Sequence, residues 1–465
     1  MAGDLEIILG VYLKCLLLGL LFWPLMARVF GKLKDGGYVV GKLASGLLTA
    51  LLVFVGGHIW NVNNAMGVSV AILVLGSVSL ASFRRRFWKG KVTFVIIEEI
   101  LFGLGLWGLS VVRGFNPDIL DLEKFMDFGF VNSYLHSPSL PAPGRWFAGE
   151  NINYYSFGQF WTGIMIRIWG VIPTVGYNLM LGFMLGLGLS LSFCLITNIT
   201  ETASKKIKII WGGIVGALLI NLGGNSQMIW YLYKNKSIEN YWYPDATRFI
   251  DKTIHEFPGY SFVVSDLHGH LLDLPVVLMF LMTWVLWMRK PTRSLAVVMG
   301  GVIGVMAMTN TWDVLIYGLL AVIGALWVLL KREVAPMELA KMILLGLPVM
   351  VVVALPWAIN FKQISSGVGI VVERTPLWQL GVLWGGHFVL LTLAVISSRK
   401  KKRVVFCLAY VAVSLLIIPE LIFVRDIYTT YPRANTMFKL TYQSFVLMGI
   451  MGGYAVSRLR ILTAV

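Results

Sequence analysis

Two acidic side chains, Glu123 and Asp127, stand four residues apart in the run Asn116-Pro117-Asp118-Ile-Leu-Asp121-Leu-Glu123-Lys124-Phe-Met-Asp127. If Pro117 starts a helix, both carboxylates project from one face, and such a pair can act as a general base or hold a divalent cation. The same acids also suit the first turn of any helix, where the dipole favours negative charge and Lys124 is a local partner. Farther on, Asp266, His268 and His270 alternate, so on an extended segment they share a face as ligands for a metal or a phosphate. They match no standard zinc spacing. Arg433 and Lys439 bracket Asn435, and a guanidinium with an ammonium can clamp a phosphate. The remaining polar candidates for substrate contact are Tyr154 and Tyr155, Arg248 and Glu256, and Trp312 and Asp313. Adjacent tyrosines at a membrane surface either form an aromatic belt or stack on a sugar ring.

These residues need a scaffold, and composition says which kind. Hydrophobic residues make up 57% of the 465-residue chain and charged ones 13%, with a mean hydropathy of +0.77. No soluble fold covers that much apolar surface, so an all-α polytopic membrane protein is expected. The net charge of +16 lies in short clusters between apolar stretches, which reads as topology and excludes a nucleic-acid partner. Cys15, Cys194 and Cys407 all fall in apolar segments without metal-ligand spacing. The stretch from Ile7 to Ala27 lacks a basic start and a cleavage pattern, so it reads as a retained span.

The apolar pattern predicts about thirteen spans, near 7–27, 39–57, 66–83, 92–112, 177–197, 207–223, 271–288, 294–308, 313–330, 338–357, 378–396, 403–421 and 437–458. Basic connections at Arg28/Lys32/Lys34, Arg84 to Lys91, Lys205 to Lys208, Arg289 to Arg293, Lys331/Arg332, Arg399 to Arg403 and Arg458/Arg460 belong on the cytoplasmic side. That parity holds provided the segment 157–172 does not cross. An amphipathic interfacial helix meets the condition, with Arg167 at the headgroups and Phe160, Trp161 and Ile164 in the acyl region. The N-terminus is then outside and the C-terminus inside, in a cell membrane. Outer loops cover 113–176, 224–270, 358–377 and 422–436, and they carry most of the candidate residues. A three-span segment, 1–91, precedes a membrane domain, 92–465. Glu98 and Glu99 lie inside the fourth span, where ionisable pairs face bundle partners or mark an ion path.

The motifs Glu123-Lys-Phe-Met-Asp127, Gly149-Glu-Asn-Ile-Asn-Tyr154-Tyr155-Ser-Phe-Gly158, Glu256-Phe-Pro258, Asp266-Leu-His268-Gly-His270, Thr311-Trp312-Asp313 and Arg433-Ala-Asn435-Thr436-Met-Phe-Lys439 together resemble the "YYY" family of archaeal and Chloroflexi multi-span membrane proteins. Ser156 stands where that family has its third aromatic. The family distantly resembles the C-type (GT-C) membrane glycosyltransferases, such as the protein mannosyltransferases and the aminoarabinose transferase of lipid A. Asp121 and Glu123 fall at the place of their acidic pair, and 157–172 at their interfacial helix. The resemblance implies sugar transfer from a polyprenyl-phosphate donor to an acceptor on the outer face, with membrane lipids as surroundings. Glu123 and Asp127 are then candidates for the base. Arg433, Lys439 and a divalent metal at Asp266, His268 and His270 would stabilise the leaving phosphate. The alternative is a transporter or lipid flippase coupled through Glu98 and Glu99.

Overall fold

The computed structural model describes residues 2–84, 87–145, 147–200, 205–363, 365, 367–398, 402–427 and 429–459. Of the basic connections, Arg85, Arg86, Arg399, Lys400, Lys401 and Arg460 lie outside them. The fold is helical, as the hydropathy demands. The chain divides into two discontinuous compact units, the first formed by Met1–Leu195, Ser265–Val314 and Arg332–Phe361 and the second by Ile196–Val264, Leu315–Lys331 and Lys362–Val465. The boundary at 91–92 expected from the span pattern falls inside the first unit.

The first unit contains α1 (Ala2–Phe30), α2 (Tyr38–Trp60), α3 (Ala65–Ala81), α4 (Val92–Phe115), α5 (Lys124–His136), α6 (Phe157–Trp169) and nearly all of α7 (Pro173–Ile199). It also holds α12 (Gly269–Arg289), α13 (Arg293–Thr309), α15 (Pro336–Ala358) and the first turn of α14 (Thr311–Leu330). The second unit holds α8 (Lys206–Asn221), α9 (Gln227–Asn235), α10 (Asp245–Arg248), α11 (Pro258–Val264), the rest of α14, α16 (Leu377–Ser397), α17 (Lys402–Ile417) and α18 (Ala434–Arg458). An antiparallel pair of short strands, β1 (Val368–Ile370) and β2 (Ile422–Val424), completes it, with Gly369 opposite Phe423.

Among the described residues, nine helices are long and apolar enough to cross a bilayer: α1, α2, α4, α7, α12, α14, α15, α16 and Arg403–Glu420. The expected spans at 66–83 and 294–308 are the 17-residue apolar helices α3 and α13. The one expected at 207–223 is the 16-residue α8. The last expected span is α18, which is long enough at 25 residues but is loaded with Asn435, Lys439, Thr441, Gln443 and Ser444. Its apolar character is therefore diluted by side chains that point into protein, where most of them are buried.

Segment 157–172 needs the most revision. Its 13-residue helix α6 rises about 20 Å, too little to cross about 30 Å of hydrocarbon, so it meets the parity condition. Yet its apolar face packs against protein. Phe160, Trp161 and Ile164 are all buried. Arg167 does not reach for headgroups; its guanidinium donates to the side chain and carbonyl of Asn63 at 2.5 and 3.1 Å and to the carbonyls of Tyr134 and Leu135 at 3.3 and 3.0 Å. Buried amphipathic sequence and interfacial sequence have the same periodicity, so the pattern alone does not separate them.

Candidate functional site: a carboxylate, imidazole and phenol relay

The chain leaves α4 at Phe115 and runs as irregular backbone to Glu123. Asp121 and Leu122 hold left-handed conformations (φ 68° and 51°) that no continuous helix contains, so the helix of the acidic pair starts at Lys124 instead of at Pro117. Arg113 secures this connection by donating to the Asp118 carbonyl at 2.9 Å. The Asp127 amide bonds the Glu123 carbonyl at 3.0 Å. The i, i+4 spacing therefore survives, and both acids face one side.

They meet on a single ring. His268 Nδ1 lies 3.1 Å from Glu123 Oε2 and 3.2 Å from Asp127 Oδ2. The environments of the two acids differ: the Asp127 side chain is 0% exposed and that of Glu123 50%, against 5% for His268. Gln159, on α6, donates to the other Asp127 oxygen at 2.7 Å. On the far side of the ring, Nε2 lies 2.7 Å from Tyr154 Oη, which donates in turn to Tyr155 Oη at 3.0 Å. The two phenol rings are 4.1 Å apart between centroids, and the Trp357 indole donates to the Tyr154 carbonyl at 2.9 Å. The tyrosines are thus wired into the unit and do not form an aromatic belt. Gly269 permits the approach, because a Cβ there would sit 2.6 Å from the Thr309 carbonyl oxygen and 3.0 Å from the Tyr155 ring.

Burial sets the protonation of this chain of groups. Desolvation pushes the Asp127 carboxyl up, and the neighbouring His268 pulls it back. On the imidazole, desolvation acts downward but the charge and hydrogen bond of Asp127 outweigh it, raising His268 to about 10. The pair therefore keeps a proton at neutral pH, with Nδ1–H directed at two carboxylates and Nε2–H at Tyr154. Desolvation, then Tyr155 and the acids, holds the Tyr154 phenol well above its ordinary range, so it stays neutral. Lys124 is pulled down by burial and by Arg113.

The expected metal trio is regrouped. Ser265 turns the chain through a left-handed residue (φ 59°), and His268 is the N-cap of α12 with His270 already inside the helix. No extended alternation exists there. Ligand atoms of Asp127, Asp266 and His268 lie within 4.8 Å of one another, close enough for one ion. His270 stands aside with its ring 5.4 Å from that of His268. Asp121 is exposed, away from these contacts.

Asp313 is fully buried, accepting from Asn310 Nδ2 at 2.8 Å and facing the carboxyl of Asp273 within hydrogen-bonding reach. Trp312 is half-buried beside it. Glu99 is neutralised by Lys42 Nζ at 2.8 and 2.6 Å and by the Tyr38 hydroxyl, which makes it a bundle partner.

In the second unit, the expected phosphate clamp is already occupied by protein. Arg433 donates to Glu420 at 2.8 Å and to the Thr375 hydroxyl at 3.2 Å. Asn435 donates to Asp426 at 2.9 Å, and the buried Lys439 ammonium lies 4.6 Å from the Phe438 ring centre. Arg248 pairs with Glu256 at 2.9 Å. Charge and location at a span end suggested a ligand, but carboxylates 13 and 8 residues away in sequence fill the role. Conversely, Gln159 was missed, although a lone amide within an apolar helix is a signal that something inside needs a donor.

No curated protein and no solved structure matches the chain. The model of an uncharacterized membrane protein family, DUF2298, matches residues 48–399 and 388–448, a stretch that includes the whole relay, and the chain belongs to that family.

Proposed function

We propose that this protein is a GT-C-type membrane glycosyltransferase that moves a sugar from a polyprenyl-phosphate-linked donor to an acceptor hydroxyl on the extracytoplasmic face of the cell membrane. On this reading the chain crosses the bilayer about thirteen times, counting its short apolar helices and α18, with the N-terminus outside and the C-terminus in the cytoplasm. The observation that supports it most is the half-exposed Glu123 sharing one imidazole with the fully buried Asp127. An inverting transfer needs an accessible base beside a group that holds positive charge, and this pair supplies both.

Glu123 takes the acceptor proton as the acceptor oxygen bonds to the anomeric carbon. The carbon–oxygen bond to phosphate breaks with its electron pair leaving on the phosphate. Asp127, too buried to touch the acceptor, is a positioning residue that fixes His268 and keeps it charged. Tyr154 and Tyr155 carry the hydrogen-bond chain outward, and the Tyr155 hydroxyl is the group that meets the substrate. A divalent ion held by Asp127, Asp266 and His268 would neutralise phosphate charge, at the cost of the imidazole proton. The imidazolium form fits the observed hydrogen bonds on both ring nitrogens.

The test is sugar transfer in proteoliposomes. Glu123→Gln should lose about two to four powers of ten in rate while binding the lipid donor, and Asp127→Asn should lose rate and lower the pH at which His268 titrates. Near-normal transfer by Glu123→Gln would remove the base assignment. Wild-type protein that moves lipid across the bilayer without transferring sugar would select the transporter reading.

A further inference from the structure

At the other end of α4 and α7 lies a second buried cluster that the relay does not use. Asp35 follows α1, Glu98 stands in the second turn of α4 and Cys194 in the last turns of α7. Ligand atoms of the three lie within 4.8 Å of one another, and all three residues are buried. They are 63 and 96 residues apart in the chain, so the bundle alone brings them together. The Asp35-Gly36-Gly37 turn makes this possible, since Gly36 and Gly37 have φ of 75° and 84°. The turn aims Asp35 at the start of α2, where its oxygens accept the Gly37 and Val39 amides at 3.1 and 3.0 Å.

Glu98 is the member that calls for a ligand. Its residue is 1% exposed, and no amide, amine or hydroxyl among the described residues reaches either carboxylate oxygen. The Cys194 thiol is its polar neighbour. A carboxylate without donors is costly in an apolar interior unless a cation or a proton neutralises it. Hydrogen bonding satisfies the neighbouring Glu99 through Lys42, so the asymmetry of this adjacent pair is specific to the cluster side. One sulfur with two carboxylates is the donor set of a borderline divalent ion rather than of magnesium or calcium.

We infer that Asp35, Glu98 and Cys194 form a binding site for a zinc-class divalent metal ion, with three protein ligands and one position left for water. Binding displaces the thiol proton and any proton on Glu98. A thiolate and two carboxylates then exceed the ion by one negative charge. Lys91 lies near Asp35 and Cys194 while donating to the carbonyls of Gly31 and Leu33 at 2.7 and 2.8 Å, and Lys34 lies near Cys194. One ammonium group suffices to balance the excess.

The full-length protein in detergent, stripped with chelator and reloaded with zinc, should retain one equivalent that survives His268→Ala and is lost in Cys194→Ala and Glu98→Gln. Cobalt in place of zinc should give a near-ultraviolet sulfur-to-cobalt charge-transfer band, because thiolate is a ligand here and the Asp127/Asp266/His268 group has no sulfur. A Cys15→Ser/Cys407→Ser variant keeps the proposed ligands intact and should keep the band. Absence of the band in wild type and in that variant overturns the site, as does zinc that stays bound in both Cys194→Ala and Glu98→Gln. Because wild type and the double-serine variant carry the reading, misfolding of a ligand variant does not decide it.

Discussion

The first unit buries acids at both ends of α4, and it handles them differently. Near Phe115, Asp127 is surrounded by donors: His268 at 3.2 Å and Gln159 at 2.7 Å. Near Val92, no amide, amine or hydroxyl among the described residues reaches Glu98, and its neighbours are Asp35 and the Cys194 thiol. The two clusters are about 25 Å apart along the helix, from Glu98 to Phe115 at 1.5 Å per residue. A buried carboxylate becomes tolerable by hydrogen bonding to a charged partner or by taking up a cation. The first solution leaves a proton on His268, held between the carboxylates and Tyr154. The second leaves a ligand atom waiting, which suits an ion.

Breaking each cluster should therefore have opposite effects on stability in chelated, metal-free detergent solution. Asp127→Ala strands a buried imidazolium and should cost about 3 kcal/mol, the low end for a broken buried pair, because Glu123 remains to share the ring. Glu98→Gln removes a buried acid that no amide, amine or hydroxyl among the described residues reaches, and should leave stability unchanged or slightly raised. Unfolding by denaturant at neutral pH measures both. If Glu98→Gln costs as much as Asp127→Ala, then Glu98 is satisfied by hydrogen bonding after all and the contrast between the two ends is lost.

The pH dependence is a smaller effect with a definite sign. The unfolded histidine titrates near 6.5 and His268 in the fold at about 10. Its contribution is fully present below the unfolded value and is lost as pH rises from there through about 10. His255, in the second unit, goes the other way: burial first, then Arg433 and Arg248, lower it to about 3. At pH 7, nitrogen NMR of labelled histidine should show His268 as imidazolium and His255 as a neutral ring. Asp127→Asn should bring His268 down and leave His255 in place. An imidazole signal for His268 at pH 7 in wild type would break the relay.

The sequence exposed the first end better than the second for a physical reason. Glu123 and Asp127 are local, so helical periodicity placed them on one side even though the helix began at Lys124 and not at Pro117. Tyr154 beside Tyr155 and the polar run from Asp266 to His270 stood out against an apolar background. What periodicity could not supply was the third dimension: that His268 turns toward Asp127 and leaves His270 aside, or that Glu420 occupies Arg433. Asp35 and Cys194 had no visible relation at all, since their meeting depends on how α2, α4 and α7 pack. Helix content followed from hydropathy. The count of crossings did not, because α3, α8 and α13 are too short and α18 too polar to be judged by length and hydropathy together.

Tyr154→Phe is the gentlest probe of the relay, and the most selective. It deletes one oxygen and leaves the ring against Phe130 and Tyr155, whose centroids lie 5.6 and 4.1 Å away. The stability loss should be about 1 kcal/mol, the usual net value of one hydrogen bond, with some added cost because His268 Nε2–H is left buried and charged. The larger consequence falls on the ring itself. With no acceptor at Nε2, the charged form loses support on that side while Asp127 and Glu123 still hold Nδ1, so His268 should titrate below its wild-type value and above 6.5. Histidine NMR of the variant reads this directly. A titration point equal to wild type would mean that the carboxylates alone fix the proton, and the phenols would then belong to packing and not to proton transfer.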